Sequence, residues 1–370
     1  MRLSGSGTKQ LQWLVVILAL AAGCSDRVPQ PSTAEPGERV LRLYNWEEYI
    51  DPAVLTGFAA RTGIRIEYQE FATQDDLTGS LRSDPSRYDL IVVDESVIQS
   101  LTDLKLLRPF DTTRLQGLRR IDPVHLAGSA VNGERYAVPY LWGTTLLAYR
   151  KDKVGEPPRS WAGLWDPRFA GHVMMLPDAQ EMFGIAALLL GYPMNTREAQ
   201  HLKAIRAKLV EQAPLICDYA DTLTIQEALL RGDCWVACIY SGDAAKAARE
   251  DDRIGYVVPD EGAPLWIDCF AIPRDAEHVE EAHEFVDYML EPAVAARNAN
   301  YLHYATPNTA ALPMVAGELR EDAAIFPSTD VLARCQFFTK PDAALQKFHN
   351  ETRMEIRHVR EKAAGTAKSE

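Results

Sequence analysis

The stretch YAVPYLWGTTLLAYR, residues 136–150, decides the fold because it is strand-like over about fifteen residues. At about 3.3 Å per residue, such a strand is long enough to pass from one lobe of a protein into another. Strands and helices alternate before this stretch and again after it. The chain has 370 residues and 47% apolar content, which is enough for two domains. We therefore expect two α/β lobes of similar plan.

The first series of elements precedes this stretch. Leu41 and Leu43 have the spacing of a strand, Asp51 and Pro52 begin a helix, and Gly63 ends it. IRIEYQEF is the next strand, a helix capped by Thr73 with Asp76 follows, and DLIVV is an apolar strand of the kind buried on both faces of a parallel sheet. This order predicts a doubly wound sheet with ligands at the carboxyl ends of its strands.

The second series follows the same pattern. HVMML is predicted to be a strand, Asp178 caps a helix through MFGIAALLLGY, and TREAQHLKAIRAKLV is a helix of clear 3.6 period. Gly232 ends the helix TIQEALLR, and CWVACIY is the next strand. We expect lobe 1 to comprise residues 40–143 and 267–312, and lobe 2 residues 144–266 and 313–370.

The first 39 residues predict export. Two basic residues precede the apolar run LQWLVVILALAAGC, which is too short for a comfortable membrane span and is typical of a signal peptide, residues 1–23. LAAGC resembles a bacterial lipoprotein signal, with Cys24 as the lipidated residue; the alternative is an ordinary cleaved signal with an incidental cysteine. Residues 25–39 are polar and Pro-rich, as expected of a tether. We expect a periplasmic protein anchored to the membrane through Cys24.

The charge of the chain is strongly acidic. Loss of the two basic residues in the signal would change the formal net charge from −13 to −15. This balance argues against nucleic acid, whose phosphates need basic patches, and favours a cationic partner. The five other cysteines include no C-x-x-C pair, and the histidines fall singly, so we expect no metal and no cofactor. Cys234 and Cys238 are too far apart along a strand to bridge and are interpreted as buried apolar residues.

Acids beside aromatic residues recur after apolar strands. Gly-rich phosphate loops, G-x-S-x-G and H-E-x-x-H are absent from the sequence. The recurring groups are Trp46 with Glu48 and Tyr49, Asp94 after DLIVV, Tyr240 with Asp243, and Trp266 with Asp268. Carboxylates brought together out of water repel one another unless cations compensate them. Aromatic faces add attraction for an ammonium and cover for methylenes, so the pattern predicts a linear amine as ligand.

Each of these residues also has a structural explanation. Glu48 and Asp243 could favour the N-termini of following helices, and Asp178 with Glu181 is spaced as a capping box. Asp94 could cap the helix SVIQSLTDLKLL. Trp266 and Tyr240 could be core aromatics.

The motifs YNWEEYI, DLIVV, PYLWGTT, SWAGLWDPRFAGHVMML, DAQEMFG, YSGDAA, LWIDCFAIP and YATPN occur in this order between residues 44 and 308. In this the chain resembles the periplasmic spermidine/putrescine-binding proteins of ABC importers. The resemblance implies the type II periplasmic binding protein fold, α/β with two lobes, a cleft between them and crossing strands that join them. It also implies a polyamine ligand, a permease partner in the inner membrane, and no catalytic chemistry. We expect a monomer.

The resemblance also implies the site residues. It places Trp46, Glu48 and Tyr49 in the cleft, with Glu48 receiving an ammonium. Glu181 is expected to meet an amine, Trp266 to form the aromatic wall and Asp268 to be the central acid. The further cleft positions are Asp178, Tyr240, where the family usually has tryptophan, Asp243, Tyr304 and Gln336.

Two positions depart from the family pattern. Asp94 and Glu47 stand where relatives carry small hydroxyl residues, and both add negative charge. Putrescine or another diamine is favoured, with spermidine as an alternative. The chain could instead bind a different cationic solute, such as a basic amino acid or guanidino compound, or serve as a polyamine sensor. A glycosidase using Glu181 with Asp268 is the enzymatic alternative.

Overall fold

The computed structural model describes residues 39–367, so the predicted signal peptide, Cys24 and nearly all of the tether lie outside the described residues. The strands are β1 Val40–Trp46, β2 Arg65–Phe71, β3 Leu90–Asp94, β4 Leu107–Arg108, β5 Ala130–Val131, β6 Glu134–Arg135, β7 Ala137–Arg150, β8 Val173–Met175, β9 Ile216–Tyr219, β10 Val236–Tyr240, β11 Ile254–Val257, β12 Pro264–Pro273 and β13 Gln336–Phe337.

The helices follow the strands in near alternation. They are α1 Pro52–Thr62, α2 Gln74–Ser83, α3 Glu95–Asp103, α4 Lys151–Val154, α5 Ala179–Leu189, α6 Ala199–Gln212, α7 Thr222–Arg231, α8 Ser241–Glu250, α9 Val279–Met289, α10 Pro292–Leu302, α11 Gly317–Arg320, α12 Thr329–Leu332 and α13 Ala343–Ala367. Between residues 39 and 367, no helix combines the length and apolar character needed to cross a membrane.

Helix ends lie where local side-chain chemistry predicts them. Asp51 accepts a hydrogen bond from the Ala53 amide at the start of α1, and Gly63 ends this helix with a φ of 72°. At the start of α2, Thr73 and Asp76 form both bonds of a capping box. These predictions are confirmed, because a cap depends only on residues three or four positions apart.

The main sheet has the strand order β2-β1-β3-β12-β7-β10-β8-β9. Its two outer parts are parallel, since β1 pairs in parallel with β2 and β3, and β10 with β8. In the centre, β12 runs antiparallel to both β3 and β7. The parallel, doubly wound prediction therefore holds for the outer strands, but the sheet as a whole is mixed.

Strand β7 joins two halves of the molecule: the first half contains β1, β2 and β3, and the second half contains β8, β9 and β10. Its first part, Ala137–Thr144, pairs with β12, and its second part, from Thr145, pairs with β10. Strand β11 pairs with the second part of β7. The next strand, β12, returns to the first half and pairs with β3. Two long strands therefore connect the halves, and the prediction that residues 136–150 form one continuous strand is confirmed for Ala137–Arg150.

Hydrophobic clusters cover both faces of the first half of the sheet. Along β3, Leu90 and Val92 belong to one cluster, and Ile91 and Val93 to another. This follows from the two-residue period of a strand, which sends neighbouring side chains to opposite faces. The second half has its own cluster, which includes Trp161, Val173 and Val236. The predicted burial of DLIVV on both faces is confirmed.

The C-terminal part of the chain contacts both halves. Val315, Leu319 and Ile325 pack in a cluster with Ile267 of β12, while Ile356 packs in the cluster of the second half. The boundaries of the two lobes stay a prediction. The five cysteines among the described residues are free, and Cys234 and Cys238 are fully buried, as expected of small apolar residues; the other three are Cys217, Cys269 and Cys335.

Candidate functional site

Two carboxylates face each other where β3 and β12 meet. Asp268 pairs with Asp94 in the antiparallel register of these strands. The indole Nε1 of Trp46, the last residue of β1, donates to Asp268 Oδ1 at 3.3 Å. Asp268 is 8% exposed. The ends of β1 and β3 therefore bring Trp46 and Asp94 to the middle of β12, as the rule for parallel strands predicts.

Burial controls the protonation of Asp268. Burial first, and the negative charge of Asp94 second, raise the pKa of this carboxyl to about 8, while the Trp46 hydrogen bond acts in the opposite direction. Burial likewise raises the pKa of Asp94, against the hydrogen bonds from Ser96. Neighbouring carboxyls out of water therefore resist full ionisation.

Aromatic rings form a continuous group beside these acids. Trp266 contacts Tyr304 edge to face with ring centres 5.1 Å apart, and Tyr240 with centres 5.7 Å apart. Tyr49 in turn contacts Tyr304 at 5.5 Å. These edge-to-face contacts fix the rings relative to one another. The structure thus brings together four of the five aromatic residues expected in the site, and the fifth, Trp46, donates to Asp268 directly. The burial of Trp266 also fits the core role considered for it.

Two glycines make room for this ring group. A Cβ added to Gly143 would lie 2.5 Å from Trp266 Cζ2, and one added to Gly242 would lie 2.6 Å from Tyr304 Cδ1. These glycines stand in the motifs PYLWGTT and YSGDAA. Both motifs were recognisable from sequence, but the role of their glycines in admitting the rings was not.

Glu181 is the most deeply buried acid of the site. Its side chain is on α5, where Oε1 accepts a hydrogen bond from Thr145 Oγ1 at 2.7 Å. The other oxygen, Oε2, is buried and has no hydrogen-bond partner among the described residues. Burial raises the pKa of Glu181 well above its usual value, the Thr145 bond lowers it, and the charges of Asp178 and Asp94 raise it. Thr145 was missed from sequence, although it lies in the motif PYLWGTT.

Asp178 and Asp94 both cap helices. Asp178 is exposed and accepts hydrogen bonds from the amides of Gln180 and Glu181 at 2.7 and 3.1 Å. Asp94 accepts from the Ser96 amide at 2.8 Å and from the Ser96 hydroxyl. The capping roles are therefore confirmed for both residues. Their contact with ligand stays a prediction, because the bonds of each cap go to Oδ1 alone.

Asp243 links α8 to the ring group. Its Oδ2 accepts a hydrogen bond from the Tyr304 hydroxyl at 2.6 Å, and its Oδ1 accepts from Gln226 Nε2 at 2.9 Å. Burial raises the pKa of Asp243, and the Tyr304 bond lowers it. Gln226 was not anticipated from sequence. Tyr304 lies just after α10 and Asp243 lies on α8, so their hydrogen bond connects these two parts of the chain.

Three predicted residues have partners other than the buried acids. Glu48 is exposed, and its Oε2 lies 3.4 Å from Lys246 Nζ. Glu47 is also exposed and lines a different groove, beside α2, together with Tyr44. Gln336 pairs with Pro264 at the start of β12, and its Oε1 accepts from the Met194 amide at 2.9 Å. The ligand contacts expected of these residues stay predictions, and sequence position alone did not show their other partners.

The described residues contain no group of three or more His, Cys, Asp and Glu side chains placed to hold a metal ion. The acids of the site are instead arranged around aromatic rings. This arrangement suits an organic cation, whose charge meets carboxylates while its carbon chain contacts the rings.

Comparison with known proteins agrees with this geometry. The putrescine/cadaverine-binding protein of Pseudomonas aeruginosa is 30% identical over 336 residues, covering 87% of this chain and 92% of that protein. The putrescine-binding periplasmic protein PotF of Escherichia coli is 31% identical over 318 residues, covering 80% and 85%.

Solved structures give the same result for the fold. A putative spermidine/putrescine ABC transporter protein from Listeria monocytogenes superposes with a TM-score of 0.80 at 30% identity, covering 86% of this chain and 99% of that one. The PotD substrate-binding protein of Streptococcus pneumoniae gives 0.79 at 28% identity, covering 87% and 100%. The predicted two-lobed type II fold is confirmed.

A family model described as bacterial extracellular solute-binding protein matches residues 53–327. This range includes β3, β7, β10 and β12, which carry most of the site. The chain belongs to the bacterial extracellular solute-binding protein family.

Proposed function

We propose that this protein is an extracytoplasmic receptor that captures a polyamine and delivers it to an ABC permease. A diamine such as putrescine is the favoured ligand, and spermidine is the alternative. Relatives named for putrescine, cadaverine and spermidine binding support the ligand class. The buried acids and rings of this chain support it independently.

One observation carries the proposal: several carboxyls are buried together and lack a compensating cation among the described residues. Asp268 and Asp94 face each other across two strands, and Glu181 Oε2 has no hydrogen-bond partner in the same part of the chain. Leaving a buried polar atom unpaired costs about 1–3 kcal/mol, and more for a charged one. An ammonium donates three hydrogen bonds and brings the charge that these carboxyls need.

The ring group supports a carbon chain between the charges. Trp266 lies 5.1 Å from Tyr304 and 5.7 Å from Tyr240, measured between ring centres. Such rings cover methylenes with their apolar surface and attract an ammonium with their faces, a contribution of about 0.5–2 kcal/mol per cation. A flexible diamine matches both properties.

We further propose that the lobes close on the ligand about the two connecting strands. Ligand contacts from both lobes favour the closed state, which is the form offered to the permease. The receptor acts as a monomer in the periplasm, held at the membrane by a lipid on Cys24. The sequence LAAGC followed by a polar tether supports this anchoring.

Competing functions make different demands on the site. A basic amino acid would need a cationic group for its carboxylate. The site residues expected from sequence include no arginine or lysine, and Lys246 beside the site is already paired with Glu48. A glycosidase needs one carboxyl that is protonated beside one that is ionised. Burial instead raises the pKa of both Glu181 and Asp268. We therefore propose binding without catalysis.

A thermal-shift panel tests the proposal with putrescine, cadaverine, spermidine, spermine, arginine and lysine. A ligand at a hundredfold excess over its Kd stabilises the folded state by about 2.7 kcal/mol, so the midpoint should rise with the bound amine. We expect the largest rise with a diamine. If only arginine or lysine raises the midpoint, the ligand is a basic amino acid and not a polyamine. If no amine raises it, the proposal is overturned.

A further inference from the structure

Lys246 places an ammonium of the protein itself at the exposed end of the site. It lies on α8, and its Nζ is 3.4 Å from Oε2 of Glu48, in the turn after β1. The Lys246 side chain is 43% exposed and that of Glu48 is 67% exposed. By contrast, Asp268 and Glu181 are buried. The ion pair therefore lies nearer solvent than the acids that would meet the first ammonium of a ligand.

Asp243 belongs to the same group of charges. It precedes Lys246 by three residues on α8, so both side chains lie on one face of the helix. Burial raises the pKa of Asp243, whereas the nearby Lys246 charge lowers it and the Glu48 charge raises it. Two carboxylates and one ammonium thus influence one another where α8 meets the first half of the fold.

The position of Glu48 is set by its backbone. Its φ is 52°, a left-handed conformation that is uncommon for a residue other than glycine, and its amide donates to Glu70 Oε1 at 3.0 Å. With the backbone of this turn held in place, the side chain of Glu48 lies beside Lys246. An acid expected from sequence to receive a ligand ammonium already has a cation beside it.

We propose that Lys246 is a specificity residue, a built-in cation that lets the site take a diamine and disfavours amines with a further ammonium. This inference rests on the proposed function of polyamine binding. A third ammonium that extended toward Glu48 and Asp243 would meet the like charge of Lys246. To bind there it would have to displace Lys246 from Glu48, which lowers the affinity for longer amines without touching the buried contacts.

The competing role for the same ion pair is a latch between the two halves. A latch stabilises the closed state for every ligand, so its loss would weaken all amines by the same factor. A specificity residue acts only on the amine that reaches it. The two roles therefore differ in the ratio of affinities and not merely in their size.

Titration calorimetry of the full protein with putrescine and spermidine separates these roles. In Lys246→Met, we expect affinity for spermidine to rise about tenfold relative to putrescine at low salt, equivalent to about 1.4 kcal/mol. The gain should shrink as ionic strength rises, because the pair is partly exposed and is screened. Lys246→Arg keeps the charge and should keep the wild-type ratio.

Arg249→Met is the matched control. Arg249 lies on the same helix, is 41% exposed, and pairs with Glu318 rather than with an acid of the site. Its substitution removes one positive charge from α8, and the affinity ratio should equal that of the wild type. In Lys246→Met, Glu48 has lost its cation and can pair with the third ammonium of spermidine. Adding Glu48→Gln removes that carboxylate and should abolish most of the gain in spermidine affinity.

The outcomes are distinguishable. An unchanged ratio in Lys246→Met, or equal weakening of both amines, overturns the specificity role. An equal change in Arg249→Met also overturns it, because the effect would then come from net charge. If the wild-type protein binds neither amine, polyamine binding itself fails; if it binds and only the ratio is unchanged, the failure belongs to Lys246 alone.

Discussion

Replacing Asp268 with asparagine removes the ionisable carboxyl at the centre of the site while keeping its size and an oxygen that can accept from Trp46 Nε1. Asp268 is buried and opposite Asp94, so its bond to a ligand ammonium would form out of water. Truncating one partner of such a pair commonly costs about 2–5 kcal/mol, which is roughly thirtyfold or more in Kd. We expect Asp268→Asn to weaken amine binding by at least this factor in titration calorimetry.

The same substitution should leave the unliganded protein at least as stable as the wild type. The pKa of Asp268 is raised to about 8 by burial first and by Asp94 second. An unfolded aspartate has a pKa of about 3.9, so the folded protein holds a proton that the unfolded chain releases. The contribution of Asp268 to the stability of the wild type therefore falls as the pH rises from about 4 to 8. Asp268→Asn lacks this proton and should show a shallower fall in denaturant unfolding.

Binding should depend on pH in the opposite direction. An aliphatic amine stays charged below about pH 10, whereas Asp268 must lose its proton to bind it as an ion pair. Wild-type affinity should therefore rise between pH 6 and 8, and this rise should be smaller in Asp268→Asn. Asp260→Asn, which removes a charge from a side chain that is 62% exposed, is the control. Unchanged amine affinity in Asp268→Asn would refute the assignment of the central acid.

Three further substitutions test other parts of the structure. Asp94→Ser keeps a good N-cap and removes the charge, so calorimetry should show amine binding weaker by more than about 1 kcal/mol with little loss of unliganded stability; equal affinity would make Asp94 a cap only. Gly242→Ala places a Cβ 2.6 Å from the Tyr304 ring and should cost about 1–3 kcal/mol in denaturant unfolding, whereas Gly79→Ala, with no atom within 4 Å, should not. Cys24→Ser should release the protein from the membrane fraction; a protein that stays membrane-bound would contradict lipid anchoring.

Much of the site could be predicted because its residues follow recognisable strands. Trp46 and Asp94 end β1 and β3, and Trp266 with Asp268 lies within β12. Those positions come from the resemblance and from the rule that ligands bind at strand ends. Thr145 and Gln226 escaped prediction because each becomes relevant only through a bond to an acid on another element.

The sequence could not show which partner each acidic side chain contacts. The stretch NWEEY places two glutamates together, yet Glu48 reaches Lys246, 198 residues away, while Glu47 lines a groove beside α2. The position of Lys246 near the site could have been predicted, since Lys246 follows Asp243 by about one helical turn in YSGDAAKAA. That spacing placed both on one helix face but could not say which surface the face meets.

The sequence by itself determined the helix caps, the strand rhythm and the acidic, aromatic character of the site. These depend on residues a few positions apart, so the capping box of Thr73 and Asp76 forms independently of the rest of the chain. Tertiary structure alone decided that β12 runs antiparallel between β3 and β7, that Asp268 faces Asp94, and that Tyr304 bonds Asp243. The Tyr304–Asp243 bond joins residues 61 positions apart and the Trp46–Asp268 bond joins residues 222 positions apart, and only packing of the whole core fixes their register.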